Sequence, residues 1–408
     1  MAKFVKNTFI IFFILIIFTS KGFSQKSIII FKTDYSNNYM NYAIYDLIMK
    51  NIFLYSNLKI IHPHSNYSSY NKIKSQIKKI TINNNANISI AYQIQNFKNG
   101  ILINYIIFDN EKPNEWIEKS AYSKEEDLFI SINKILKDIY EISKIKNKIT
   151  YIKEKDYISL LGYYYQKIIL TNNEDNIYKL FYDFHKDNIY FNIDYLEYLT
   201  DKSDRTSVDI INDLIKNMQN YINKKKNHYY LYSLGCMHYG KYKVNVILSD
   251  IEASIENYNK ALKLKNNYYK YYYRLANAYI LKNDYDNAIK YYEEAIKLNE
   301  YDINIIKEFV SLLKRDINKN GNEVISYLKK IIEINKNDEE ALEEISKLYE
   351  KIGDYDNALI YYNKLFEVIN YNLYIINNET KDADAYDRYI FKRNSIKLNI
   401  EYLNKKIF

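Results

Sequence analysis

Whatever chemistry this chain could perform rests on five histidines, one cysteine and a few acidic pairs. His62 and His64, in "IHPHS", are two residues apart, so on a strand both imidazoles project from one face. Such a pair could ligate a metal or serve an exported hydrolase, but no third ligand follows at a recognised spacing. The better reading is a pair lining a loop. His185, His228 and His238 are scattered on helical stretches and read as packing residues. Cys236 has no partner for an internal disulfide, and "YSLGCMHYG" around it reads as a helix holding a small buried residue. All seven glycines are isolated, which excludes the clustered glycines of a phosphate-cradling loop. Glu293–Glu294 and Glu339–Glu340 fit solvated helix faces. No catalytic constellation emerges, and neither cofactor nor metal is expected.

The elements that must position these residues are mostly helices. Only 2 Pro and 7 Gly interrupt 408 residues, and few breakers mean long helical stretches. The excess of Tyr, Asn, Lys and Ile resembles the output of an AT-rich coding sequence, so the 48 tyrosines do not by themselves mark a site. A hydrophobic fraction of 48% and a charged fraction of 26% are those of a globular protein, long enough for two or three domains.

The opening "MAKFVKNTFIIFFILIIFTSKGFSQ" has the plan of a secretory leader: Lys3 and Lys6, an apolar run from Phe9 to Phe18, then small Gly22 and Ser24 before Gln25. The apolar run is shorter than the roughly 20 residues a membrane span needs, although an uncleaved anchor is the alternative. An exported chain, periplasmic or extracellular and without a stable span after leader removal, is expected. Leaving out Lys3, Lys6 and Lys21 takes the net charge from +8 to +5. The remaining lysines alternate with acids, so no basic face for nucleic acid stands out. "NKKKNHYY" (223–230) reads as a loop between helices.

Residues 26–145 alternate in period. "SIIIF" and "LKIIH" read as strands, and Tyr39–Ile52 and "YNKIKSQIKKI" as helices. Two runs of β-formers in 87–109 are joined by "NFKNG", whose Asn99-Gly100 pair is a strong hairpin signal. "EWIEKSAY" adds a strand, and a helix follows with Ser123 as N-cap and Glu126 as capping-box partner. The order predicts an α+β domain with helices packed on one sheet. It resembles the amino-terminal domain of TolB and FlgO/CsgG-type envelope domains, on "SIIIFKTD", "NNNANISIAYQI", "GILINYIIFDNEKPNEW" and "EEDLFISINKILKDI". That resemblance implies a periplasmic binding or adaptor module. The chain departs from it where "AYQIQ" stands in place of a glycine after the first hairpin strand.

Beyond residue 150 the rhythm is helical throughout. "NDYDNAIKYYEEAIKLN" (283–299) returns as "GDYDNALIYYNKLFEVI" (353–369), placing Ala358 seventy positions after Ala288. That distance is two helix–turn–helix units of 34 plus two residues, which resembles the tetratricopeptide repeat. Unit 269–302 has Tyr272, Leu275, Ala276 and Tyr279, then Ala288, Tyr292 and Ala295. Unit 339–372 has Leu342, Ile345, Ser346, Tyr349, Gly353, Ala358, Tyr362 and Leu365. A weaker copy between them is expected to absorb the two extra residues in the turn "RDINKNGN". Upstream, Leu234, Gly235, Ser254, Tyr258 and Ala261 form another unit, with an insertion of about seven residues between its helices. Small residues belong where helix backbones approach, and each helix pair buries its apolar face only against a neighbour.

The expected organisation is a leader over 1–24, an α+β domain over 25–145 and divergent helical repeats over 146–233. Tetratricopeptide repeats over 234–372 and a capping helix over 373–408 follow. In this repeat family peptides dock against the first helix of each pair, and a Lys–Asn clamp at its fifth and ninth positions holds carboxylates. The corresponding residues here are Tyr273 and Asn277, Lys307 and Ser311, and Glu343 and Lys347. Only Asn277 fits, so a carboxylate clamp is not expected. The expected groove instead combines Tyr273, Arg274, Asn277 and Lys307, suited to stacking and hydrogen bonding with a peptide of an envelope protein. A passive spacer is the remaining alternative.

Overall fold

The computed structural model describes residues 26–31, 39–56, 58–61, 70–97, 100–112, 116–124, 127–144, 151–153, scattered positions between 157 and 185, 188–218, 227–380 and 382–407. The expected leader, His62, His64, Asn99, Glu126 and much of the stretch expected as divergent helical repeats over 146–233 lie outside the described residues. The chain forms two compact units, one through Tyr271 and one from Tyr272 onward. The boundary expected at 145/146 therefore falls inside the first unit.

In the first unit, strands β1 (Ser27–Phe31), β2 (Lys59–Ile61), β3 (Ile88–Phe97), β4 (Gly100–Asp109) and β5 (Trp116–Ser123) form a sheet ordered β2-β1-β3-β4-β5. β1 runs parallel to both of its neighbours, whereas β3, β4 and β5 are antiparallel. Phe97 pairs with Gly100, so the hairpin has a two-residue connection and Gly100 opens the return strand. A Cβ at Gly100 would stand 2.7 Å from the Ser123 carbonyl oxygen, so β5 can approach only a glycine.

Alternation assigns the two faces of this sheet. Helix α1 spans Tyr39–Tyr55, α2 Tyr70–Asn83 and α3 Leu128–Ile142. Ile29, Phe31, Ala91, Ile106 and Phe108 pack with Ile73 and Ile77 of α2. On the other face the Tyr105 hydroxyl donates to Asp138 of α3 at 2.6 Å, and the Tyr140 hydroxyl of α3 donates to Asn51 of α1 at 3.1 Å. The expected cap of α3 differs. Ser123 ends β5, and Asp127 precedes the helix without a side-chain capping bond. The Ser123 hydroxyl instead accepts from Ser131 at 2.9 Å. Pairing of β5 with β4 holds Ser123 in the strand, which outweighs the local capping signal.

The same unit continues through α4 (Ile189–Lys202), α5 (Arg205–Met218), α6 (His228–Asn245) and α7 (Leu248–Leu264). Asn188 and Asn227 begin α4 and α6, each side chain accepting two backbone N–H groups. The insertion expected between α6 and α7 is absorbed by lengthening both helices, to 18 and 17 residues around a left-handed Val246. Cys236 is fully buried, with the Tyr258 hydroxyl 3.5 Å from its sulfur.

The repeats fill the second unit. They are α8 (Tyr269–Leu281, from Tyr272 onward) with α9 (Tyr285–Leu298), α10 (Ile303–Leu313) with α11 (Ile317–Ile334), and α12 (Glu339–Lys351) with α13 (Tyr355–Ile375). One π-helical turn, Ile376–Thr380, leads to α14 (Ala383–Ile407). The twice-written "DYDNA" is a capping device. Asp284 and Asp354 accept the backbone N–H of Asn287 and Asn357, and each Asn returns a 2.7 Å side-chain bond to its aspartate. The preceding Asn283 and Gly353 hold the left-handed conformation that turns the chain, with φ 59° and 81°. Leu275, Ala276, Ala288, Ala295 and Ala358 are fully buried, and Tyr292 and Tyr362 nearly so. Tyr279 and Tyr349 stack on Tyr291 and Tyr361, again seventy positions apart. The extra residues of the middle copy form a 3-10 turn, Lys314–Asp316, and Gly321, expected in a turn, lies within α11.

Candidate interaction groove

The inner helices α10 and α12 flank a slot of about 230 Å3. Lys307 and Ser311 of α10 and Lys314, which opens the 3-10 turn after it, recur at i, i+4 and i+7 and line one side of the slot. Glu340 and Glu344 oppose them one turn apart on α12, and Val310, Leu328, Ile331 and Ala341 complete the lining. Lys307 pairs with Glu340 at 2.8 Å and Asp338 at 3.1 Å, and Lys314 pairs with Glu344 at 2.5 Å. Burial works against the Lys307 ammonium, but its hydrogen bonds to Glu340 and Asp338 outweigh it and raise its pKa above the usual lysine value. The slot thus has an apolar floor crossed by two rungs of opposite charge. Exposed pairs of this kind contribute only about 0–1 kcal/mol each, so a ligand's own charged groups can replace them at small cost.

The residues expected in the groove do not converge on this slot. Lys307 lines it. Tyr273 and Asn277 belong to a neighbouring cluster, where the Tyr273 hydroxyl donates to Glu308 at 2.8 Å and the Tyr292 hydroxyl bonds both Asn277 and Glu308. Arg274 is 2% exposed, its guanidinium 5.2 Å from the centre of the Tyr273 ring, and offers a ligand no surface. Arg274 follows Tyr273 by one position, and a step of 100° about the helix axis carries it off the exposed face. Ser311, read as the ninth position of its helix, lines the slot with Lys307, whereas Lys314 lies outside the expected set, although its i+7 spacing from Lys307 is in the sequence. Glu339 and Glu343, on α12, are engaged by α14. Lys392 reaches them at 2.7 and 3.4 Å, and the Tyr389 hydroxyl donates to Glu339 at 2.8 Å. Burial would raise both carboxyl pKa values, but these partners, with Lys347 on Glu343, hold them below the usual range.

A second concentration of titratable groups lies in the first unit. Lys265 Nζ donates to the carbonyls of Phe53 and Ser56, at 2.6 and 2.9 Å, where α1 ends. It stands 5.1 Å from the Phe53 ring centre, and the His228 ring meets that ring edge-on at 5.2 Å. Burial lowers the Lys265 pKa to about 7. The His228 pKa falls to about 3, by burial first and then by the Lys265 charge. Lys50 of α1 pairs with Asp46 and with Asp194 of α4, at 2.6 and 2.8 Å. These groups are sealed structural contacts rather than an open reaction centre. Among the described residues no cluster of three or more His, Cys, Asp or Glu is placed to hold a metal. Nor is any described helix long and apolar enough to cross a membrane.

Paired helices with buried alanines at their crossings define a helical-repeat solenoid. Residues 269–302 and 339–372 each match the tetratricopeptide repeat family model. No curated protein matches the chain. Among solved structures, "Crystal structure of MamA" is 22% identical, over 40% of this chain and 91% of that one, with a TM-score of 0.32. "MamA 41-end from Desulfovibrio magneticus RS-1" is 15% identical, over 43% and 95%, with a TM-score of 0.30. "Crystal structure of YrrB: a TPR protein with an unusual peptide-binding site" is 16% identical, over 46% and 89%, with a TM-score of 0.29.

Proposed function

We propose that this chain is an exported, non-catalytic adaptor of the cell envelope that holds a protein partner in the slot between α10 and α12. The observation that carries the reading is the slot itself, an apolar floor bridged by exchangeable ion pairs on the inner helices of two successive repeats. An extended peptide with alternating charges fits it, because its side chains can take over the Lys307, Lys314, Glu340 and Glu344 partners while its apolar residues cover Leu328 and Ile331. Export rests on the leader-like first 24 residues. The sheet-bearing region, by its resemblance to TolB-type modules, serves as a second adaptor surface.

Cross-linking in intact cells tests the slot. The wild type is compared with a Lys314→Ala/Glu344→Ala variant whose fold is verified by circular dichroism. A defined partner captured by the wild type and lost in the variant is the expected result. Identical partners in both would sink the groove reading. Mass measurement of the chain from the envelope fraction tests export, with loss of about the first 24 residues expected. An intact chain confined to the cytoplasm contradicts it.

A further inference from the structure

Helix α14 buries Ile396 and Leu403 and turns a different side outward. At 100° per residue, Asp384, Asp387, Phe391, Leu398, Tyr402 and Lys405 fall within an arc of about 60°, and all six are exposed. Phe391 is 78% exposed, Leu398 65% and Tyr402 48%. Lys392, which binds Glu339 and Glu343, points away from this arc. Three large apolar side chains in register on the outward side of α14 are a contact surface in search of a partner.

The charges select the partner. The stripe begins with two aspartates and ends with Lys405, so the helix is complementary to itself reversed. We infer that α14 pairs antiparallel with α14 of a second copy of this chain, about a two-fold axis near residue 396. In that register Phe391 meets Tyr402 of the other copy, Leu398 covers the small Ser395, and Asp387 meets Lys405. Each contact occurs twice, as an isologous interface requires. A parallel pairing would set Asp387 against Asp387. An anionic lipid surface would meet the two aspartates first. Antiparallel helix dipoles favour the same arrangement.

Sedimentation equilibrium of the full chain tests the pairing, using Asp387→Lys and Lys405→Asp as single variants. The wild type is expected to dimerise. Each single variant places like charges at both symmetric positions and should weaken dimerisation roughly tenfold. An equimolar mixture of the two variants should recover the wild-type constant, since every 387–405 contact in the mixed dimer is again opposite in charge. Phe391→Glu should abolish association while the exposed site leaves the helical circular dichroism unchanged. A monomeric wild type, single variants that associate like the wild type, or a mixture no tighter than its components each overturns the inference.

Discussion

Replacing Lys265 by methionine tests whether a buried, titrating ammonium sets the pH response of the first unit. Lys265 is 5% exposed, and burial moves its pKa from 10.5 to about 7. In the unfolded chain the same group titrates near 10.4. Between about pH 7 and 10 the unfolded state therefore binds more protons than the folded state, and stability rises with pH. Taking those two pKa values, the gain from pH 7 to pH 9 is about 2 kcal/mol. Lys265→Met keeps the methylene stem but removes the titration, so this rise should vanish. Loss of the donor to Phe53 and Ser56 costs a further, pH-independent amount of about 1–3 kcal/mol. Urea unfolding at pH 7, 8 and 9 reads both quantities. Parallel pH dependences for the wild type and the variant would refute the argument. The acid side has the same sign: His228, lowered to about 3, makes stability fall as pH drops from 6.5 toward 3. Without the Lys265 charge that loss should become shallower.

Two glycines should respond in opposite directions. A Cβ on Gly235 would stand 2.4 Å from the fully buried Tyr258 ring, so Gly235→Ala should lose about 1–3 kcal/mol to overpacking and lower the Tm. Gly321, within α11, has nothing within 4 Å of the added carbon, so Gly321→Ala should gain up to about 1 kcal/mol of helix propensity. Thermal melts that rank the two the other way contradict this packing. Tyr292→Phe removes the hydroxyl that bonds Asn277 and Glu308 and should cost about 1–2 kcal/mol, read by the same melts.

The solenoid was legible because its information is local and written twice. The buried alanines, the "DYDNA" caps and the tyrosine pairs recur seventy positions apart in the sequence. The sheet was legible from period-two runs and the hairpin signal, down to strand order along the chain. Other features depend on partners distant in sequence. Ser123 looked like a cap until its strand pairing took precedence. Arg274 looked like a groove residue because neighbouring positions on a helix share a neighbourhood in sequence but not a face. Lys265 and Phe53 are 212 positions apart, and no local pattern announces their contact.

That contact has a bearing on synthesis. All strands and helices of the sheet region up to Ile142 are made before Lys265 leaves the ribosome. At about 5–20 residues per second, the interval from Ile142 to Lys265 is roughly 6–25 s. Through that time the end of α1 lacks its lysine donor, and Phe53 lacks the rings of His228, Tyr229, Tyr268 and Tyr271 that surround it in the finished protein. The end of α1 is thus completed only by helices made well after the sheet region. A fragment cut at residue 145 would leave Phe53 without those rings and the α1 carbonyls without the Lys265 donor.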